Sequence, residues 1–227
     1  MIDTPSYPGR GILCGTTGDN IPFGAYLLTA RSVSSQNRLL VVEDGMIQTT
    51  VRDPSLVIDP RLLIYTAMQR VGTTLIIANG DHGELAKAGL GNGVSLPEAL
   101  APSCYEPDEP HYTPRITAVA DRHGYILSIL RRVDGECERA YWEYGWQTGG
   151  HAHLIHTYRG DGEVLPSYSG DPRAIAVGCT AEELPAWIHT SLDERYRLAS
   201  AVWLLDGSGR IAITNGTDGE AQWTRLN

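Results

Sequence analysis

The chain has 227 residues, 42% of them hydrophobic and 20% charged, with a formal net charge of −9. These values fit an ordinary soluble globular protein of one large domain or two small ones, and the acidity argues against a nucleic-acid-binding surface. No apolar run approaches the ~20 residues needed to span a bilayer, so no membrane partner is expected. Met1-Ile2-Asp3-Thr4-Pro5 lacks a basic region followed by an apolar core, and no secretion signal is expected. Cys14, Cys104, Cys137 and Cys179 are widely spaced and form no CxxC pair, which fits reduced thiols in a cytoplasmic protein. An acidic chain still binds a small anion where arginines concentrate in one place.

Gly9 to Gly15 reads as a glycine-flanked strand. Thr17-Gly18-Asp19-Asn20 supplies a turn and Phe23 to Thr29 a second strand, giving an N-terminal hairpin with Arg10 near one end. Ala30 to Arg38 is polar, with two arginines and three serines. Two guanidiniums beside hydroxyls can clamp a phosphate; a solvated strand connection explains the same residues. Leu39–Glu43 and Met46–Val51 form a hairpin about Asp44-Gly45, and Leu62–Met68 pairs with Thr73–Ala78 about Val71-Gly72. Tyr65 lies inside an apolar run, as core tyrosines do. Asn79 to Gly83 leads into a helix over 84–90, for which Asp81 is the expected cap and where exposed amides can meet an anion. Ser95-Leu96-Pro97-Glu98 opens a second short helix running towards Cys104.

Strands resume at Ile116–Ala120, Tyr125–Arg132 and Cys137–Tyr144. His151, His153 and His156 follow; the first two share a strand face and can ligate a metal, but no carboxylate or cysteine falls at a matching spacing, so no metal is expected. Arg159 to Pro166 is a loop. A late helix near Pro185 carries Trp187, Ile188 and Leu192 on one face, and Leu198–Leu205 with Arg210–Thr214 makes a last hairpin. Roughly ten strands with few helices indicate an α+β sandwich.

Tyr105 to Arg115 has three prolines in eleven residues, which exclude a helix and stiffen the chain. It is either an acidic connector or a loop that holds its carboxylates, phenols and imidazole at fixed positions. One ordered set of motifs bears on the choice: Gly9-Arg10-Gly11-Ile12, Arg31-Ser32-x-Ser34-x-x-Asn37-Arg38, Tyr65, Asn79-Gly80-x-His82, Tyr105-Glu106-Pro107-Asp108 and Thr113-Pro114-Arg115-Ile116. This set resembles the archaeal-type IMP cyclohydrolase family. His156-Thr157-Tyr158 and the Gly160-Asp161-Gly162 loop look like the family's second half.

The resemblance implies a single IMP cyclohydrolase-like domain over 1–227, built as a four-layer αββα sandwich like the N-terminal-nucleophile hydrolases but without autoprocessing. It also implies ring closure of 5-formamidoimidazole-4-carboxamide ribonucleotide (FAICAR) to IMP and water, with a purine nucleotide as the partner molecule and no metal or cofactor. By resemblance Arg31, Tyr65 and Glu106 fall at catalytic positions. Arg10, Ser34, Arg38 and Arg115 are candidates for phosphate and ribose; Asn79, Asp81, His82, Asp108 and Thr113 are candidates for the base or for supporting the site. Two alternatives stay open: a paralogue closing a related ring on an analogue, and a non-catalytic nucleotide binder. The aromatic run Trp142 to Trp146 departs from the family's plainer strands and reads as an interface, a pocket wall or core. A homo-oligomer is left open, since β-rich folds of this kind often self-associate.

Overall fold

The glycine-bounded apolar runs at the N-terminus form the first hairpin of a computed structural model of the chain, which describes Ile2, residues 4–57 and residues 59–226. Met1 and Asp3, in the stretch read for a secretion signal, lie outside the described residues, as do Ile58 and Asn227. Strand β1 (Arg10–Thr16) pairs antiparallel with β2 (Pro22–Thr29). The polar segment after β2 is not a plain connection: it holds a one-turn helix, α1 (Val33–Gln36), in which the Ser32 hydroxyl accepts from the Ser35 N–H at 3.2 Å. Strands β3 (Arg38–Glu43) and β4 (Met46–Val51) meet at Asp44 and Gly45, whose φ values of 50° and 73° are the two positive dihedrals of a type I′ turn.

The next strand starts later than the apolar pattern suggests. Pro60–Leu62 is a 3-10 turn set by the Asp59 carboxylate accepting from the Arg61 N–H, so β5 (Tyr65–Val71) begins at Tyr65 and pairs with β6 (Thr74–Ala78). Helices α2 (His82–Gly91) and α3 (Leu96–Leu100) follow, the latter ending short of Cys104. Asp81 does not cap α2 with its side chain; its carboxylate is taken by Arg115 instead. Then come β7 (Arg115–Ala120), β8 (Gly124–Val133), β9 (Glu136–Gly145), β10 (His151–His156), β11 (Arg173–Ala176), α4 (Leu184–Thr190), β12 (Arg197–Leu204), β13 (Arg210–Asn215) and β14 (Gln222–Arg225). The short strands β11 and β14 have no counterpart in the sequence reading.

The strands form two seven-stranded sheets, in the orders β11-β10-β1-β2-β12-β13-β14 and β3-β4-β5-β6-β7-β8-β9, with every pairing antiparallel among the described residues. This is a mixed α+β chain dominated by antiparallel sheet. Alternation along the strands decides what each face buries. Ile12, Tyr26, Leu28, Ala201 and Trp203 from the first sheet share one hydrophobic cluster with Met68, Leu75, Ile77, Ala118 and Leu127 from the second. The intervening residues Leu13, Phe23, Leu27 and Val202 pack with Leu184, Ile188 and Leu192 around α4. Ile76 and Val119 likewise pack with Ala86, Leu96 and Leu100 of α2 and α3.

Hairpin connectivity puts the starts of β1, β3, β5, β7 and β12 at one end of the sheets, together with the ends of β2, β6 and β10. Most of the polar residues singled out above lie at that end. The aromatic run of β9 extends towards the other, with Trp142, Tyr144 and Trp146 packed against the inter-sheet cluster. There Tyr144 stacks on His153 with centroids 3.7 Å apart, and the Tyr125 hydroxyl lies 2.7 Å from His153 Nδ1.

Candidate active site

Arg10 opens β1 and Glu106 opens the proline-rich loop, and the two meet across 96 positions of sequence with Arg10 Nη2 2.9 Å from Glu106 Oε1. Their side chains are 10% and 5% exposed, so both charges are nearly out of water. Burial pushes the Glu106 carboxyl above its ordinary range, and the Arg10 guanidinium only partly offsets this. Burial works against the Arg10 charge, but Glu106 and the phenols of Tyr158, Tyr65 and Tyr26 outweigh it and hold the guanidinium firmly protonated.

The loop is stiffened as its prolines suggest, and its backbone closes on itself: the Glu106 N–H donates to the Thr113 carbonyl at 2.8 Å. Within it the Asp108 carboxylate accepts from the Thr113 N–H at 2.6 Å and from the Thr113 hydroxyl, which also contacts the Tyr158 hydroxyl. Thr113 therefore fixes Asp108 and Tyr158 from behind. Asn79, at the end of β6, is buried; its Nδ2 donates to the Pro114 carbonyl at 3.0 Å and lies 3.5 Å from Glu106 Oε1, while its Oδ1 accepts from the Ile116 N–H at 2.7 Å. One amide side chain thus registers the loop against the sheet.

A cavity of about 270 Å³ opens beside this pair, lined by Arg10, Ser34, Arg38, Glu106 and Asp108 of the expected residues and by Ser35, Asp59, Leu62 and Leu63, which sequence reasoning missed. Arg38 is 2% exposed; its Nε donates to the Ser35 carbonyl at 3.1 Å, and no carboxylate pairs with it among the described residues. The wall also carries the carboxylates of Asp59, Glu106 and Asp108, but at Arg38 itself a buried guanidinium without an ion-pair partner sits with two serines, which suits the anionic group of a ligand.

Tyr65 does not line the cavity. It is buried at the start of β5 with its hydroxyl 2.6 Å from that of Tyr26, and both phenols act on Arg10. Burial, then the neighbouring Tyr65, hold the Tyr26 phenol well above its usual pKa. His82 is fully buried with Nε2 3.1 Å from the Ile116 carbonyl; burial and then Arg115 push its pKa down to about 3, so the imidazole is neutral and Nε2 is the donor. Arg115 and Asp81 pair with each other outside the cavity. Arg31 does not line the cavity either: its guanidinium donates to Asp161 Oδ1 at 2.6 Å and to the Gly162 carbonyl, and lies 5.7 Å from the centre of the Tyr7 ring. Tyr7 in turn stacks on Tyr158 at 5.9 Å, which connects Arg31 to the buried cluster through two rings.

Tyr26 and Tyr158 are the phenols that sequence reasoning did not assign. Tyr26 alternates with apolar neighbours and looks like core from its strand alone. Tyr158 carried a signal in His156-Thr157-Tyr158.

The model of a family described as IMP cyclohydrolase-like protein matches residues 7–208. The chain belongs to this family. Among its relatives, the IMP cyclohydrolase of Methanocaldococcus jannaschii is 23% identical over 212 residues, covering 92% of this chain and 99% of the relative. One from a strain of Methanococcus maripaludis is 26% identical over 148 residues, covering 60% of this chain and 72% of its own. That of Methanococcus aeolicus is 26% identical over 135 residues, covering 56% and 66%. The 7–208 match takes in both partners of the Arg10–Glu106 pair and every residue lining the adjoining cavity.

Proposed function

We propose that this chain is an IMP cyclohydrolase that closes FAICAR to IMP and water. The observation that carries the reading is the nearly dry Arg10–Glu106 pair beside a cavity whose wall holds the uncompensated Arg38. The relatives named IMP cyclohydrolase support the same reading.

In the reaction the carboxamide nitrogen attacks the formyl carbon and forms a C–N bond. The formyl oxygen then leaves as water with one proton from the carboxamide nitrogen and one from the formamide nitrogen. A carboxamide is a weak nucleophile, so orientation supplies much of the rate, about 7–11 kcal/mol in favourable cases. Glu106 takes the carboxamide proton, a role suited to a carboxyl whose pKa lies above the ordinary range. Tyr65 does not line the cavity, so its place is in the hydroxyl pair with Tyr26 at 2.6 Å near Arg10 and not at the departing oxygen. Arg31, once released from Asp161, stabilises that oxygen, and Arg10 holds Glu106 in place. Arg38 with Ser34 binds the phosphate, Asp108 positioned by Thr113 meets the ribose or base, and Asn79, His82, Asp81 and Arg115 support the loop that carries Glu106.

The same reading takes 1–227 as one catalytic domain in the cytoplasm, with αββα layering like that of the N-terminal-nucleophile hydrolases. The two outer clusters around α4 and around α2 with α3 support that layering. Among the described residues no helix is long and apolar enough to cross a membrane. Incubating the protein with FAICAR and following the absorbance of the closed purine tests the function. IMP formation is expected; binding without product points to an analogue substrate or a binder, and neither outcome would leave the reading standing.

A further inference from the structure

A second cavity, of about 350 Å³, lies at the same end of the sheets on the other side of α1, and Gln36, Arg52, Arg195, Tyr196, Arg197 and Thr217 are among its lining residues. Among the described residues no carboxylate lines it. In a chain of net charge −9, three guanidiniums in one polar cavity are a local reversal of sign. Arg195 is already compensated, since its Nε and Nη2 donate to Asp193 at 3.0 and 2.6 Å. The other two are not. Arg52 is exposed, and its side chain has neither an ion pair nor a hydrogen bond among the described residues. Arg197 makes one long contact, Nη1 to the His189 carbonyl at 3.4 Å, while its buried Nε has no partner among the described residues. Buried donors are nearly always satisfied, and a guanidinium fork is shaped for phosphate oxygens.

We propose that this cavity is a second anion site, for a small phosphomonoester, distinct from the catalytic cavity. Both cavities use the same short helix as a wall, because α1 turns Ser34 and Ser35 to the catalytic side and Gln36 to this one. The Arg52 N–H also donates to the Asn37 carbonyl at 2.9 Å, and Asn37 immediately precedes Arg38. The site is therefore joined through backbone to the catalytic cavity without sharing lining residues with it.

The test is calorimetric titration of inorganic phosphate and, separately, of ribose 5-phosphate into three proteins: the wild type with IMP present in excess, Arg38→Gln without nucleotide, and Arg52→Glu with IMP present. Arg52 is exposed, so Arg52→Glu keeps the fold, and a melting curve checks this. Binding is expected in the first two and roughly tenfold or more weaker in Arg52→Glu. The tighter of the two probes identifies whether free phosphate or a sugar phosphate is the occupant. Loss of binding in Arg38→Gln, unchanged binding in Arg52→Glu, or no binding of either probe overturns the proposal. The Arg38→Gln arm needs no purine ligand, so it reports on the second site even if the cyclohydrolase reading fails.

Discussion

A carboxylate 2.9 Å from a guanidinium ordinarily titrates low, yet burial outweighs the ion pair at Glu106 and leaves its pKa raised. If Glu106 must be ionised to accept the carboxamide proton, kcat/KM falls as the pH drops through this raised pKa, nearer to neutrality than an ordinary carboxylate would place it. Glu106→Gln keeps the size of the side chain and removes the base; turnover of FAICAR is expected to fall by about 10²–10⁴ with nucleotide affinity nearly intact. Turnover at the wild-type rate would remove Glu106 from the chemistry. Arg38→Gln should act differently, raising KM roughly tenfold or more with little effect on kcat, because a phosphate contact serves ground state and transition state alike. Arg31→Gln should lower kcat with KM little changed; a change in KM alone would give Arg31 a binding role and leave Arg10 as the nearer cation. Arg10, Ser34, Arg38, Glu106 and Asp108 on the cavity wall were legible because they sit in short polar motifs, whereas Arg31 and Tyr65, read as catalytic, do not line it. Leu62, Leu63 and Asp59 were not legible, since apolar and turn residues carry no chemical label and acquire a role only when the chain folds over the cavity. Asp81 was misread for a related reason: its helix-capping position is a local property, and the competing partner Arg115 is 34 residues away.

Hairpins were the most readable elements, since alternation and turn dipeptides such as Asp44-Gly45 are local signals. The order of strands in the two sheets was not readable, because β1 pairs with β10 and β2 with β12 across long stretches of chain that no periodicity reports. The strands β11 and β14, at four residues each, are too short to show alternation. One glycine shows how such a long-range pairing constrains the site. Gly9 has φ of 74°, and a Cβ there would stand 2.3 Å from Thr157 Oγ1 and 2.5 Å from the Tyr158 ring. The Arg10 N–H donates to that same Thr157 hydroxyl at 3.2 Å. Gly9→Ala therefore has to displace the end of β10 relative to the start of β1, and it strains the backbone as well. A loss of about 1–3 kcal/mol in urea unfolding is expected, accompanied by lower turnover because Arg10 and Tyr158 shift together. Wild-type stability in this variant would mean that the two strand ends yield freely.

Across the whole molecule, the strand ends that build the site also bury histidines without charge. Burial pushes His82 down to a pKa of about 3 and His156 to about 4, with Arg115 and Arg173 respectively adding to the effect. An unfolded histidine titrates near 6.5. Between that value and the folded pKa the unfolded chain binds a proton that the folded chain refuses, so the stabilising contribution is complete above about pH 6.5 and is lost as the pH falls towards 3 or 4. Each such histidine steepens the loss by up to about 1.4 kcal/mol per pH unit. Glu106 has the opposite sign, because its raised pKa lets the folded chain take up a proton before the unfolded chain does. Burial lowers the pKa of His153 and His189 as well, and hydrogen bonds lower those of carboxylates such as Asp161 and Asp193, so the groups that lose stability on acidification outnumber Glu106 and leave a net loss. His82→Gln can retain the donor to the Ile116 carbonyl, which His82 holds at 3.1 Å, and removes the titration. Urea unfolding measured from about pH 8 to pH 5 should show a shallower decline for this variant than for the wild type, by close to one proton's worth of slope. Parallel declines would mean that His82 is protonated inside the fold, and the neutral buried imidazole assigned to it here would be wrong.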